Sequence, residues 1–74
     1  MGTSPMFAMH LKHDGHVHRF VIDSLGASGW EVREEHDSRV VRQYRYTDWH
    51  RVERARSIMA LRVNLLQESG WSEA

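Results

Sequence analysis

The pair Asp14-Gly15 constrains this chain more than any other feature, because it lies between two segments in which apolar and polar residues alternate. Asp-Gly in that setting is a strong signal for a two-residue β-hairpin turn. A turn at these two residues pairs His13 with His16. It also collects the large apolar residues of both segments on one face of the hairpin: Phe7, Met9, Leu11, Phe20 and Ile22. A slip of one residue would scatter them over both faces, so the pattern specifies this register.

The second strand of this hairpin has a helical alternative. A helix over residues 17–28 is compatible with the spacing of Val17, Phe20, Val21 and Leu25. Glycines at positions 26 and 29, and the concentration of β-branched and aromatic residues at 17–22, favour a strand. We therefore predict a strand up to Asp23, followed by a loop over residues 24–29.

A second hairpin is predicted over residues 30–46, with strands at 30–35 and 39–46 and a loop at 36–38. This register pairs Glu35 with Arg39. It places five apolar or aromatic residues on one face: Trp30, Val32, Val40, Tyr44 and Tyr46. A four-residue loop that pairs Glu34 with Arg39 is the alternative, because it also brings opposite charges together.

A long helix is predicted after the second hairpin. Thr47 or Asp48 is a suitable N-cap, nothing breaks the helix before about Ser69, and Gly70 supplies a stop. The predicted fold is therefore α+β: a four-stranded antiparallel meander with strand order 1-2-3-4, followed by one C-terminal helix (ββββα). We assign residues 6–74 to this single domain and residues 1–5 to a flexible leader.

Two faces of the predicted helix are apolar. A broad stripe suits the sheet and contains Trp49, Val52, Ala55, Met59, Ala60, Val63 and Leu66. A second ridge, formed by Ile58, Leu61 and Leu65, lies on nearly the opposite side. The chain has only 74 residues and no cysteine, so it can build only a small core and no disulfide. The ridge therefore predicts a homodimer that is formed through the C-terminal helices.

Histidines are concentrated around the first hairpin turn. The predicted register places His13, His16 and His18 on one side of the sheet, where three imidazoles suit zinc, nickel or copper. Glu34 is a candidate fourth ligand. The spacing matches no established metal motif, so metal binding is the weaker alternative and we predict no cofactor.

The sequence offers little for catalysis. His50 and Glu53 are one helical turn apart and Asp48 is close to them, an arrangement that suits either a general base or a capped first turn. The chain has no cysteine nucleophile, no serine in a nucleophile-elbow motif and no phosphate-binding glycine loop. We predict that the protein is not an enzyme.

Arginine and tyrosine are interleaved in residues 39–46, RVVRQYRY. Nucleic-acid surfaces use this combination, with arginine on phosphates and aromatic rings stacked on bases. The predicted registers place five basic residues on the open face of the sheet as candidate nucleic-acid contacts: Lys12, Arg19, Arg33, Arg39 and Arg45. The same registers place Trp30, Tyr44 and Tyr46 beneath the helix, where we expect them to be part of the core.

A four-stranded meander followed by one long helix, dimerised through the helices, resembles the whirly-type and transcriptional-coactivator single-stranded-DNA-binding domains. The resemblance covers most of residues 6–69, is one of topology without a shared motif, and implies binding of single-stranded DNA. The repeated Gly-Trp pairs (29–30 and 70–71) and the segment 48–54 resemble a small uncharacterised bacterial protein.

These features together predict a non-catalytic binding or regulatory module for single-stranded nucleic acid. The alternatives are a self-assembling or protein-partner domain without a nucleic-acid role, and a histidine-based metal-binding protein. The formal net charge is zero, because the acids that predominate before residue 39 balance the arginines that predominate after it. The chain has no apolar run of about 20 residues and no secretory signal, so we expect a soluble cytoplasmic protein with no membrane partner.

Overall fold

A computed structural model describes residues 6–74, and the predicted leader at residues 1–5 lies outside them. Five strands and one long helix follow in the order β1 (Phe7–His13), β2 (His16–Ser24), β3 (Trp30–His36), β4 (Arg39–Tyr46), α1 (Trp49–Glu68) and β5 (Ser72–Glu73). The strands form one antiparallel sheet in the order β4-β3-β2-β1-β5. The predicted α+β meander is confirmed. Within the described residues, no helix is both long and apolar enough to cross a lipid bilayer.

The first hairpin has the predicted register, with His13 opposite His16 and Phe7 opposite Ile22. Asp14 and Gly15 have φ values of 49° and 80°, as a tight turn with two positive φ angles requires. The alternative helix over residues 17–28 is wrong. Residues 16–24 form β2, and the loop that follows contains a short 3-10 helix at Gly26–Ser28.

The second hairpin differs from both predicted registers. Its turn consists of only two residues, Asp37 and Ser38, with φ values of 49° and 69°. The strands realign through a bulge, because Glu35 pairs with Val40 whereas Glu34 pairs with Arg42. Val40 therefore lies on the face of Glu35, opposite the helix, and not on the helix side as predicted.

The core lies between α1 and the middle of the sheet. The predicted helix bounds are confirmed, and the Asp48 carboxylate caps the helix by accepting a 2.9 Å hydrogen bond from the backbone N–H of His50. The buried core residues are Leu11, Phe20, Ile22 and Val32 from the sheet and Val52, Met59 and Val63 from the helix. Ala60 of the predicted stripe is exposed, and Trp49 is partly exposed.

The ridge residues Ile58, Leu61 and Leu65 are 51%, 63% and 62% exposed in the single chain. Their exposure agrees with the sequence pattern, although Ile58 also borders the space between α1 and β4. The homodimer that this pattern implies stays a prediction.

The short strand β5 was not predicted. After α1 the chain reverses at Gly70, and β5 pairs with β1 through Lys12–Ser72 and Leu11–Glu73. This return places the Trp71 ring over the histidine-rich end of the sheet, 5.6 Å from the ring of His13 and 6.0 Å from that of His18, measured between centroids.

Candidate functional site

A groove of about 490 Å³ lies between β4 and α1. It forms because β4 is an edge strand and the helix packs over the middle of the sheet, which leaves the helix-facing side of β4 uncovered. Tyr44 and Tyr46 lie in its floor, together with the core residue Val32, which pairs with Tyr44. The groove is also lined by one acidic residue, Glu34, and by four arginines: Arg42, Arg51, Arg54 and Arg62.

The two tyrosines form an accessible aromatic surface in this groove. Their ring centroids are 6.2 Å apart and their planes are inclined by 17°. Tyr44 is 51% exposed, whereas Tyr46 is half-buried. The sequence correctly placed both rings on the helix side of the sheet, but the expectation that they belong to the core is wrong for Tyr44, because α1 leaves half of its surface uncovered.

Three of the four groove arginines have no salt-bridge partner in the described part of the chain. Arg42, Arg51 and Arg54 make no salt bridge with any residue in the range 6–74, whereas Arg62 is paired with Glu34. A guanidinium without a carboxylate partner is available for an anionic ligand. The groove therefore combines local positive charge with exposed aromatic rings, in a protein whose overall net charge is zero.

The open face of the sheet is electrostatically balanced. Arg33 donates to Glu31 at 2.7 Å and to Glu35 at 2.6 Å, and it lies 3.5 Å from Asp23. Hydrogen bonds to Glu35 and Glu31 raise the pKa of Arg33 further above its usual value. The pKa of Glu31 is lowered, first by a hydrogen bond from Gln43 and then by Arg33.

The five predicted nucleic-acid contacts do not form one cationic patch. Arg33 and Arg19 are held by carboxylates, and Arg45 lies 3.6 Å from Glu31. Lys12 lies on the open face, close to the β5 edge of the sheet. Arg39 pairs with His36 and is therefore on the helix side, because the two-residue turn changed the register of β4.

A buried polar chain connects the groove to the histidine-rich end of the sheet. Glu34 accepts hydrogen bonds from Arg62 and from Nε2 of His18, the latter at 2.7 Å. Nδ1 of His18 is 3.3 Å from Nδ1 of His36. Glu34 and His18 are both buried, and their partners satisfy the carboxylate, as burial of such a group requires.

The histidines gather beside the two hairpin turns. Nδ1 of His16 is 2.7 Å from Oδ2 of Asp37, and Nε2 of His36 is 3.3 Å from the same oxygen. The pKa of His16 is raised, chiefly by its hydrogen bond to Asp37. The pKa of Asp37 is lowered, first by the backbone N–H of Val17 and then by His16. One ligand atom from each of His16, His36 and Asp37 lies within 4.8 Å of the others.

The predicted metal trio is divided between different partners. Nδ1 of His13 is 3.1 Å from the carbonyl oxygen of Gly70, and its ring is tilted by 39° against that of Trp71, while His18 is hydrogen-bonded to Glu34. Only His16 of the trio joins the compact cluster. His36 was not among the predicted ligands because the sequence pattern placed it in a loop, whereas it is the last residue of β3. The adjacent His-Asp pair at 36–37 was the signal that could have found it.

The capped first turn of α1 contains no acid–base pair. The Glu53 carboxylate accepts a 2.9 Å hydrogen bond from the indole N–H of Trp49, and Asp48 caps the helix. His50 is exposed and not bonded to either carboxylate through its ring. The hydrogen bonds of Asp48 and Glu53 are typical of a capped helix N-terminus, which was the alternative to a general base.

Comparison with known proteins does not assign this chain to a family. The chain matches no protein-family model, and no curated protein or solved structure shows significant similarity to it.

Proposed function

We propose that this protein is a non-catalytic binding module and that its groove between β4 and α1 takes single-stranded nucleic acid. The observation that supports this proposal is the exposed Tyr44 ring, which lies beside Tyr46 and among arginines that have no salt-bridge partner within residues 6–74. The topological resemblance to single-stranded-DNA-binding domains, drawn from the sequence, points to the same class of ligand.

In this groove, different residues are suited to stacking on bases and to binding phosphates. A base can stack on the exposed face of Tyr44, and such stacking is sequence-tolerant because every base has a π face. Arg51 and Arg54 on the helix are suited to the backbone phosphates that follow the base. A duplex does not present its base faces, so the tyrosines favour a single strand.

Titration with a fluorescently labelled oligothymidine, followed by anisotropy at two salt concentrations, tests the proposal. Binding should weaken as salt rises, because each neutralised phosphate contributes a slope of about 0.7 in log K against log salt for single strands. Tyr44→Ala should weaken binding roughly 10- to 100-fold, since stacking contributes about 1–3 kcal/mol per base. Tyr44→Phe keeps the ring and should retain the affinity.

A pair of arginine variants distinguishes the groove from the open face. Arg54→Gln should weaken binding and reduce the salt slope, whereas Arg45→Gln, which removes a charge from the opposite side of the sheet, should change binding much less. The absence of binding to wild-type protein at low salt would rule out the proposal. A larger effect for Arg45→Gln than for Arg54→Gln would indicate that the oligonucleotide binds to the open face of the sheet and not in the groove.

A second candidate function, self-association, is favoured by the exposed ridge. Ile58 and Leu65 lie three residues before and four residues after Leu61. A twofold axis near Leu61 would therefore place Ile58 of one antiparallel helix against Leu65 of the other. We propose a second copy of this chain as the occupant, because such an arrangement covers both ridges with one self-complementary contact. Ile58 also lines the groove, so the dimer contact would border the ligand site.

Sedimentation equilibrium at micromolar concentration tests self-association. The wild-type protein should sediment as a dimer, and its melting temperature should rise with protein concentration. Leu61→Glu should yield a monomer, while Gln67→Glu, an added carboxylate at an exposed position of the same helix, should leave the dimer intact. A wild-type mass of 8.7 kDa with concentration-independent melting would contradict the dimer.

A further inference from the structure

We infer that the end of the sheet where the two hairpin turns meet binds one divalent transition-metal ion, with Nδ1 of His16, Nε2 of His36 and Oδ2 of Asp37 as its protein ligands. Two imidazoles and a carboxylate suit zinc, cobalt or nickel rather than calcium or magnesium, which prefer oxygen ligands. This site is separate from the groove and does not depend on nucleic-acid binding.

The ligand atoms are already close to the spacing that a metal requires. Oδ2 of Asp37 is 2.7 Å from His16 Nδ1 and 3.3 Å from His36 Nε2, and one ligand atom from each of the three residues lies within 4.8 Å of the others. Atoms that share one zinc at about 2.0–2.2 Å in tetrahedral geometry are about 3.3–3.6 Å apart. Small side-chain movements therefore bring the three atoms into one coordination sphere.

The hydrogen bonds behind the cluster direct the free nitrogen of His36 toward this point. Nε2 of His18 donates to Glu34, so Nδ1 of a neutral His18 ring is an acceptor. Nδ1 of His36 then donates across the 3.3 Å contact. The lone pair of neutral His36 is consequently on Nε2, which faces the Asp37 carboxylate. A cation can bridge that lone pair and the carboxylate, and this cation is either a proton on His36 or a metal ion.

Neighbouring residues hold these ligands in place through hydrogen bonds, as they do for the ligands of known metal sites. Oδ1 of Asp37 accepts a 2.8 Å hydrogen bond from the backbone N–H of Val17, which holds the carboxylate with Oδ2 directed toward His16 and His36. A metal ion at this point would replace the proton that Oδ2 shares with Nδ1 of His16. Behind His36, the chain through His18 ends on the buried Glu34 and its partner Arg62. A ligating histidine whose second nitrogen is hydrogen-bonded has a fixed tautomer and ring orientation.

Three protein ligands leave at least one coordination position open. His16, His36 and Asp37 are all partly exposed, so water reaches the site. The geometry thus differs from a closed structural zinc site, which has four protein ligands.

Titration of the tag-free, chelator-treated protein with cobalt(II), followed by visible absorption, tests this inference. One cobalt ion should bind per chain, and zinc should displace it. His36→Gln should weaken binding at least about 100-fold, because removal of a ligand costs more than the ~10–100-fold typical of outer-shell changes. The matched control is His50→Gln, which removes a histidine from the exposed helix N-terminus and should bind cobalt like wild-type protein.

Two further measurements keep the result interpretable if His36→Gln fails to fold. Asp37→Asn retains an acceptor for the Val17 N–H and a residue that tolerates positive φ, and it should weaken cobalt binding by at least about tenfold. In wild-type protein, zinc should shift the ring proton resonances of His16 and His36 but not those of His50. Absence of saturable cobalt binding by wild-type protein, or wild-type affinity in a folded His36→Gln or Asp37→Asn variant, would overturn the site. Loss of binding in His13→Gln with unchanged resonances for His36 would also overturn it.

Discussion

Substitution of Gly29 by alanine should destabilise this protein more than its small size suggests. Gly29 has φ 98° and ψ −133°, a backbone conformation that is essentially restricted to glycine and costs another residue about 1–3 kcal/mol. A Cβ at this position would lie 2.2 Å from the carbonyl oxygen of Tyr46 and 3.2 Å from the Cα of Thr47. These are backbone atoms, so the overlap cannot be relieved by rotating a side chain, and it should cost about 1–3 kcal/mol more.

The total loss is comparable with the stability of the whole domain. We expect Gly29→Ala to lower the free energy of unfolding by roughly 2–6 kcal/mol. A chain of 74 residues has about 4–11 kcal/mol in all, at 0.05–0.15 kcal/mol per residue. The substitution also separates the start of β3 from the end of β4, where Tyr46 contributes to the groove.

Urea unfolding monitored by circular dichroism measures this effect, and Gly15→Ala is the matched control. Gly15 has φ 80° in the first turn, but no atom lies within 4 Å of the position of its Cβ. Gly15→Ala should therefore lose only the conformational term, about 1–2 kcal/mol. Equal losses of stability in the two variants would refute the reasoning, because the close contact with the Tyr46 backbone would then have no energetic consequence.

Three other substitutions test the energetics of the fold. Asp48→Ala should lower the free energy of unfolding by about 1 kcal/mol through loss of the helix cap, measured by urea unfolding; Asp48→Asn, which retains an acceptor, should lose much less. Glu31, whose pKa is lowered by Gln43 and Arg33, stabilises the folded state when ionised, so this contribution should be lost as pH falls below the ordinary carboxyl value of 4.5 and through the lowered pKa of the folded state. A Glu31→Gln variant should show a shallower fall in melting temperature over that range, and an unchanged profile would contradict the assignment. Val52→Ala should lower the free energy of unfolding by about 2–3 kcal/mol in the same urea assay, because Val52 is 1% exposed and links α1 to the sheet; a loss below 1 kcal/mol would indicate a looser core.

Local signals in the sequence were sufficient for most of the fold. The first hairpin was predictable because Asp14-Gly15 specifies a turn, and the alternation on either side permits only one register that collects the apolar residues on one face. The helix bounds were predictable because Asp48 caps the first turn and Gly70 follows the last. In each case the interactions that decide the structure lie within a few residues of one another.

The second hairpin and both candidate sites depend on contacts between distant parts of the chain. The turn at Asp37 is tied to β2, since its carboxylate accepts from the Val17 N–H and its own N–H donates to the Val17 carbonyl, each at 2.8 Å. That link makes His36 part of β3 and brings it beside His16. Tyr44 is exposed because the helix packs over the middle of the sheet and leaves the edge strand uncovered. Side-chain periodicity identifies the face on which a residue lies, but only tertiary packing determines how far the helix covers that face.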